Sequence, residues 1–368
     1  FATKFYTNDG IYDIVGNDLP VFFIRDAVKF PDVIHSLKPS PDSNLRVAER
    51  FWDFISLTPE ATHMITWLYS DRGTIKDYRH IDGFGVNTYT WINSAGERRY
   101  VKYHWKTMQG VETIDRREAE RLAGEDPDIA VRLLRESIAG GEYPSYELCV
   151  QLMTDQQAQT LPFDILDDTK TWDENRFPLM KVGLMTLDRN PENFFNEVEQ
   201  AAFCPGNIVP GVGLSDDKML TGRSFSYFDT QRHRIGPNFV QLPVNRPINP
   251  VDNGQRDGAM AYITNPSPIN YSPNSLAGGR PYPAPEGDLP AVYAEGEVGN
   301  FQIEKTDDFT QAGQRYNSLT PAERAALCDN IAVELVTCRA DIIQRVLSYF
   351  ENASPDFTAC VRQAMKLY

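Results

Sequence analysis

No run of eighteen apolar residues occurs in the 368 residues, which excludes an ordinary membrane-spanning helix. Basic charge is in short supply. Lys and Arg number 36 against 51 Asp and Glu, a formal net charge of −15, which argues against a nucleic-acid or anionic-membrane partner. Cysteine is sparse and unpatterned: Cys149, Cys204, Cys328, Cys338 and Cys360 form no CxxC pair and no zinc spacing. They read as reduced, mostly buried thiols of a cytoplasmic protein, although an odd count leaves room for one bridge. A phosphate-binding glycine loop is also missing, since Gly211-Val212-Gly213 has no third glycine in register and no strand-loop-helix unit around it.

What is present is long enough for one large core and a smaller one. Residues 1–26 alternate and are rich in β-branched and aromatic side chains, with turn signals at Asn8-Asp9-Gly10 and Gly16-Asn17-Asp18. Residues 43–57 and 58–71 read as helices, and 86–93 and 98–107 as strands. In the second strand Val101, Tyr103 and Trp105 alternate with Lys102, His104 and Lys106, the pattern of a half-buried antiparallel strand. Helix is expected over 115–138, interrupted at Asp126-Pro127, and strand over 146–153 and 182–187. Strands split by helical insertions, without regular βα alternation, point to an α+β protein built on an antiparallel barrel. Between Arg234 and Thr306 periodicity fails, and 11 of the 25 prolines lie from Pro237 to Pro290. Thr320-Pro321-Ala322-Glu323 then has the form of a capping box, and the apolar spacing beyond it is helical.

The most informative stretch is RSFSYFDTQRHRIGPN, residues 223–238. Ser215, Asp216 and Asp217 read as a helix start, with acids offsetting the positive end of the dipole. On that helix Arg223 and Tyr227 lie one turn apart on one face, so a guanidinium can reach the phenol oxygen and favour its ionised form. A tyrosinate suits ferric iron, and tyrosine is one of the few protein ligands that haem iron accepts. Arg232 and Arg234 at the helix end suit carboxylates.

The longer segment KMLTGRSFSYFDTQRHRIGPNFVQLPVNRP resembles the proximal haem signature of the monofunctional haem catalases. FATKFYTNDG, YDIVGNDLPVFFIRD, YRHIDGFGVNTY and RNPENFFNEVEQAAF are similar to further blocks of that family, so the resemblance runs over almost the whole chain. It implies haem b held by Tyr227 as axial ligand, with Arg223 as its hydrogen-bond partner and Arg234 on a propionate. It gives Asn17 the catalytic task of holding peroxide above the iron, and it places Phe22, Phe23 and Phe30 along the distal pocket and its approach. The activity implied is dismutation of hydrogen peroxide to water and dioxygen. In that family the distal histidine lies on a strand preceding the block equivalent to Phe1-Ala2-Thr3-Lys4, and none of His35, His63, His80, His104 and His233 corresponds to it. A small-subunit catalase lacking the segment that carries this residue is therefore expected.

The fold implied is an antiparallel eight-stranded β-barrel with a long wrapping segment and a C-terminal helical bundle. Its divisions are a haem domain over 1–188, a proximal helix and wrapping segment over 189–309, and a helical domain over 310–368. A homotetramer follows from the same resemblance. Some members bind NADPH on the barrel surface, which would fall on His63, Ser70, Arg72, Asp82 and Lys106. Two departures count against it: Trp172-Asp173-Glu174 replaces the family's Trp-Pro-His, putting an acid near an anionic ligand, and Trp67 replaces a phenylalanine. The rival readings are a catalase-fold enzyme for fatty-acid hydroperoxides and a non-catalytic haem-binding relative.

Overall fold

A computed structural model describes residues 1–249, 257–258, 264, 266–271, 274–276, 296, 299 and 306–368. Most of the expected wrapping segment lies outside the described residues.

The chain opens with a hairpin, β1 (Ala2–Thr7) and β2 (Gly10–Val15), turned at Asn8-Asp9. A 3₁₀ turn at Ala27–Lys29 leads into α1 (Phe30–Leu37), followed by α2 (Ala48–Ser56) and α3 (Thr62–Leu68). Then come β3 (Gly83–Phe84), β4 (Tyr89–Ile92) and β5 (Arg98–Thr107). Helices α4 (Arg116–Glu125) and α5 (Ile129–Ala139) break at the Asp126-Pro127 step, because proline supplies no N–H and pushes its predecessor out of helical geometry. After β6 (Ser145–Met153), a one-turn helix α6 (Asp155–Ala158), β7 (Met180–Thr186) and β8 (Val212–Leu214), the long helix α7 (Lys218–Arg234) begins. The chain closes with α8 (Thr310–Ser318), α9 (Pro321–Leu335), α10 (Ala340–Ala353) and α11 (Pro355–Ala364).

The eight strands fall into two sheets, and the described residues close no eight-stranded barrel. Six form a wholly antiparallel sheet ordered β7-β6-β5-β4-β8, with β3 pairing β5 beyond the end of β4. The hairpin is a sheet of its own because its partners are only each other; it lies on the larger sheet through Tyr12 and Ile14, which share a core with Tyr89, Val101, Tyr103, Trp105 and Leu220. Its exit is tied to β3 where Asn17 and Phe84 exchange backbone bonds of 2.9 and 2.8 Å. That approach requires Gly16, since a Cβ there would stand 1.8 Å from the Phe84 carbonyl oxygen.

Strand β5 has the expected bounds but is not half-buried. Lys102, on the supposed solvent side, is 4% exposed and donates to the Lys170 carbonyl at 3.2 Å, and His104 bonds Gln151 at 3.0 Å. Residues 161–177, which carry no strand period, cover that face through Ile165, Trp172 and Phe177.

The C-terminal helices have no core apart from the N-terminal half. Leu327, Ile331, Leu335, Val346, Phe350 and Phe357 pack with Val21, Ile24, Phe51, Trp52 and Ile65 in one cluster. Thr320 and Glu323 close the expected capping box. The reduced-thiol reading holds for Cys149, Cys204 and Cys338 and not for Cys328 and Cys360, which form a disulfide joining α9 to α11.

Candidate functional site

Helix α7 starts where the sequence places it. Asp217 is the N-cap, its Oδ1 accepting from the Leu220 amide at 2.9 Å, and Met219 and Leu220 seat the first turn in the two apolar cores. Gly222 allows the helix to pass against Ala27, where a Cβ would come within 2.3 Å of the alanine methyl. One turn on, Arg223 Nη2 donates to Tyr227 Oη at 3.0 Å, and the guanidinium carbon lies 5.1 Å from the phenol ring centre. The same nitrogen donates to the Val15 carbonyl at 2.8 Å, and Nη1 donates to Asn87 Oδ1 at 2.5 Å. Burial, the largest single influence, would lower the Arg223 guanidinium; Tyr227, Tyr89 and Asp168 together outweigh it and hold the group above its ordinary value. The helix is thus pinned to the end of β2, two residues before Asn17.

Asn17 is half-buried on the segment that leaves β2. Phe22 stacks on Phe30 with ring centres 6.1 Å apart and an interplanar angle of 14°, and it meets Phe23 edge-on at 5.6 Å. Phe30 is 39% exposed, whereas Phe23 is 7% exposed and turns into the helical core against Phe51. Phe22 and Phe30 thus stack on the more open side of this cluster, with Phe23 packed inward beside them. The Phe22 amide donates to the Asp168 carbonyl at 2.9 Å, which binds this segment to the loop before β7.

Arg234 lies two turns beyond Tyr227 and is exposed. Its guanidinium is committed to protein acceptors: the Ala201 carbonyl at 2.7 Å, Gln231 Oε1 at 2.7 and 2.9 Å, and the Glu199 carbonyl.

A family model described as catalase matches residues 1–278, and one described as catalase-related immune-responsive matches residues 302–365. The chain belongs to the catalase family. It is 48% identical over 367 residues to a catalase of the Onchocerca volvulus endobacterium, covering 99% of this chain and 76% of that one. Catalase A of Pseudomonas putida is 48% identical over 358 residues, 97% of this chain and 74% of its own length. A solved bacterial catalase superposes with a TM-score of 0.92 at 40% identity, over 100% of this chain and 75% of the other. A fungal catalase superposes with a TM-score of 0.93 at 38% identity, over 99% and 75%. Haem-dependent dismutation of hydrogen peroxide is the activity this membership carries.

The catalase residues fit a haem on the proximal side. A tyrosine fixed on a well-seated helix, with its oxygen met by a guanidinium, is a donor set suited to ferric iron. None of the five histidines bonds to this pair. His63 Nδ1 bonds the Thr169 carbonyl at 2.8 Å and its Nε2 accepts from Trp67 at 3.1 Å. His104 bonds Gln151, His80 bonds the Gly110 carbonyl at 2.9 Å, His233 faces Asp229 on the exposed side of α7, and His35 sits on α1.

A cavity of about 1130 Å³ lies on the far side of β5, lined by Trp67, Arg72, Asp82, Lys106, Glu174 and Arg315 among others. It gathers Arg72, Asp82 and Lys106 of the five expected dinucleotide contacts. His63 and Ser70 are 2% and 4% exposed, and Ser70 caps a turn by accepting from the Arg72 amide. The three that line the cavity satisfy one another: Asp82 Oδ2 is 2.6 Å from Lys106 Nζ and 3.5 Å from Arg72 Nη2. Arg315 covers the Trp67 ring at 3.9 Å, and Asp173 and Glu174 add acids to the lining. Lys102, Arg176 and Arg315 add cations, so the lining is mixed in charge.

Sequence reasoning missed Asn87 and Asp168, both buried beside Arg223, and saw Asp217 only as a helix start. The signal for Asn87 lay inside the YRHIDGFGVNTY block, but nothing in its spacing shows what it touches.

Proposed function

We propose that this chain is a haem catalase in which Tyr227 is the axial ligand of haem b and Arg223 holds that ligand in place. The observation that carries the reading is the 3.0 Å bond from Arg223 Nη2 to Tyr227 Oη. A guanidinium donating to a phenol oxygen stabilises negative charge there, and a charged oxygen is the better donor to iron. Bound there, haem supplies the redox chemistry by which two hydrogen peroxides become two waters and one dioxygen. Asn17 offers a carboxamide to orient peroxide by hydrogen bonding, and Phe22 and Phe30 give its approach an apolar wall that sheds bulk water. Arg234 would meet a propionate by exchanging backbone carbonyls for a carboxylate, the stronger acceptor.

The reading includes a homotetramer of the small-subunit type. We also take it to work in the cytoplasm, on the strength of its three free thiols and against the Cys328–Cys360 bridge, which is uncommon there; no helix among the described residues is long and apolar enough to cross a membrane. One relative, from Toxoplasma gondii, is a peroxisomal catalase, so compartment varies within the family. NADPH is left out of the reading because Asp82 already pairs with Arg72 and Lys106, and Asp173 and Glu174 stand among the other lining residues.

The test is haem titration of the purified chain and of Tyr227→Phe, followed by oxygen release from hydrogen peroxide and consumption of a lipid hydroperoxide. The expected result is one haem per chain with a ferric tyrosinate spectrum that Tyr227→Phe loses, and a preference for hydrogen peroxide. An unchanged spectrum in Tyr227→Phe overturns the ligand assignment, and a preference for the lipid hydroperoxide overturns the substrate.

A further inference from the structure

Folding brings Cys328 and Cys360 together without help from the bond between them. Cys328 lies on α9, fully buried in the core that the C-terminal helices share with the N-terminal half, and Cys360 lies on α11 at the margin of that core, partly exposed. Their Cα atoms are 5.9 Å apart, inside the range a disulfide spans. The neighbours that set this spacing do not depend on the oxidation state of sulfur. Phe357, on the turn of α11 before Cys360, stacks on Tyr316 with ring centres 4.6 Å apart and meets Phe350 at 4.2 Å. Tyr316 Oη donates to Asp356 at 2.8 Å, Arg324 pairs with the same carboxylate at 3.6 Å, and Thr358 Oγ1 donates to the Leu347 carbonyl at 2.9 Å. Helix α11 is therefore seated on α8, α9 and α10 by apolar and polar contacts of its own. Two thiols held within reach in this way join in an effectively unimolecular step once one of them is oxidised.

The other three cysteines are free, buried and without a thiol beside them. Cys149 faces the Glu147 carboxylate at 3.9 Å, Cys204 the Ser224 carbonyl at 3.7 Å and Cys338 the Glu334 carbonyl at 3.6 Å. Burial pushes all three thiols up, Cys338 to about 11, which withholds the thiolate that attacks an oxidant. Only the pair on α9 and α11 can record oxidation as a bond. A single bridge among free thiols does not look like a secreted disulfide framework, and in the cytoplasm the disulfides that do occur are usually transient and redox-sensing. The enzyme also works in a thiol oxidant, because hydrogen peroxide is its substrate.

We propose that Cys360 and Cys328 form a modification site for hydrogen peroxide, which writes the bridge between α11 and α9 reversibly. Cys360 is attacked first because it is the partly exposed member. Its thiolate bonds to one peroxide oxygen, the O–O bond breaks, and the departing hydroxide takes up the proton the thiol released, leaving a sulfenic acid and one water. The Cys328 sulfur then bonds to the Cys360 sulfur, the S–O bond breaks, and the hydroxyl leaves with the Cys328 proton as the second water. Two thiols thus lose two electrons and two protons to one peroxide. Helix α9 is itself tied to the N-terminal half, where Glu334 accepts from Trp52 Nε1 at 3.1 Å and from Tyr69 Oη at 2.5 Å. The bond therefore fastens the last helix to the core that also seats Phe51 and Phe23, beside Phe22 on the expected haem approach, when peroxide is abundant. The dithiol resting state rests on the cytoplasmic reading, and the bond-forming step rests on the geometry alone.

The experiment takes haem-loaded wild type, reduces it, removes the reductant and holds it under peroxide supplied steadily by glucose oxidase, since the enzyme would consume a single dose. A sample without glucose is the air control. Each is denatured, alkylated with a maleimide and weighed as the intact chain: the dithiol carries five tags and the bridged chain three. The expected result is a change from five tags to three under peroxide and not in air, reversed by reductant, with amide exchange in α11 slowed on the order of 100-fold in the bridged form. Cys328→Ser should stop at a sulfenic acid on Cys360 that dimedone traps, whereas Cys360→Ser should give no adduct on Cys328. Five tags that persist under peroxide, or bridging as fast in air, would overturn the proposal, and so would a dimedone adduct on Cys328 with none on Cys360. Cells lysed into maleimide without added peroxide test the resting state, where five tags are expected. Three tags there, from a chain whose bridge still needs peroxide to re-form after reduction, would sink the cytoplasmic reading and leave the bond-forming step standing.

Discussion

His63 is held neutral by its partners, and this makes stability depend on pH in a calculable way. Its Nδ1 faces the Thr169 carbonyl and so carries the proton, which leaves Nε2 to accept from the Trp67 indole. A second proton on Nε2 would set two donors against each other in a site that is 2% exposed. Burial is the largest cause and, with Lys170 and Arg315 adding to it, pushes the imidazole down from 6.5 to about 4. An unfolded chain takes up that proton near pH 6.5 while the folded one does not until about 4. Between these limits the unfolded state binds more protons, so His63 costs nothing above the window and subtracts stability as pH falls through it. At about 1.4 kcal/mol per tenfold, the fall from 6.5 to about 4 comes to about 3.5 kcal/mol over the full window, and about 2 kcal/mol of it is lost by pH 5. His104 is also pushed down to about 4, chiefly by burial, and acts in the same direction; Asp168 and Asp308, raised by burial, act in the opposite one. The assay is therefore a difference: urea midpoints of wild type and His63→Gln from pH 7.5 to 5. Glutamine has a donor and an acceptor but cannot take the proton. The variant should be the less stable at pH 7.5, and the gap should shrink by about 2 kcal/mol by pH 5. A gap that stays constant across the range would refute the neutral, donor-locked histidine.

Two further outcomes follow from the fold and the cavity. Cys328→Ser should lower stability by about 3–4 kcal/mol on the chain-entropy account of a closed loop spanning 32 residues; denaturation with and without reductant checks it, and identical midpoints for oxidised and reduced wild type would show that the bridge contributes nothing. Holoenzyme mixed with NADPH and desalted should retain none of its fluorescence, because Asp82 already occupies Arg72 and Lys106 and Glu174 adds negative charge; one retained NADPH per chain would show that the ligand displaces those pairs.

The features legible in the sequence are those set by short spacings. Arg223 and Tyr227 meet because four residues is one helical turn, and the Thr320 capping box closes because its two members are three apart. Strand β5 shows its bounds for the same reason, through a run of alternating side chains. Its burial was misjudged because the cover comes from residues 161–177, whose loops leave no period to read. The pairing of Cys328 with Cys360 was likewise invisible, since sequence does not say which thiols α9 and α11 bring together.

The grip on Arg223 lies beyond that horizon for a stronger reason. Asn87 reaches acids 81 and 130 positions away, and all three groups would be expensive alone: a buried carboxylate, a buried guanidinium and a buried amide are tolerated only when each satisfies the others. A local pattern therefore cannot announce any one of them. Buried acids in a chain of 51 Asp and Glu look like solvated surface until the fold shows what they face. The positive φ of Val86 belongs to the same set, since backbone strain leaves no mark on a valine in a strand-like run. Tyr227 is readable because a helix presents it. The group that holds Tyr227's partner in place is readable only from the packed interior.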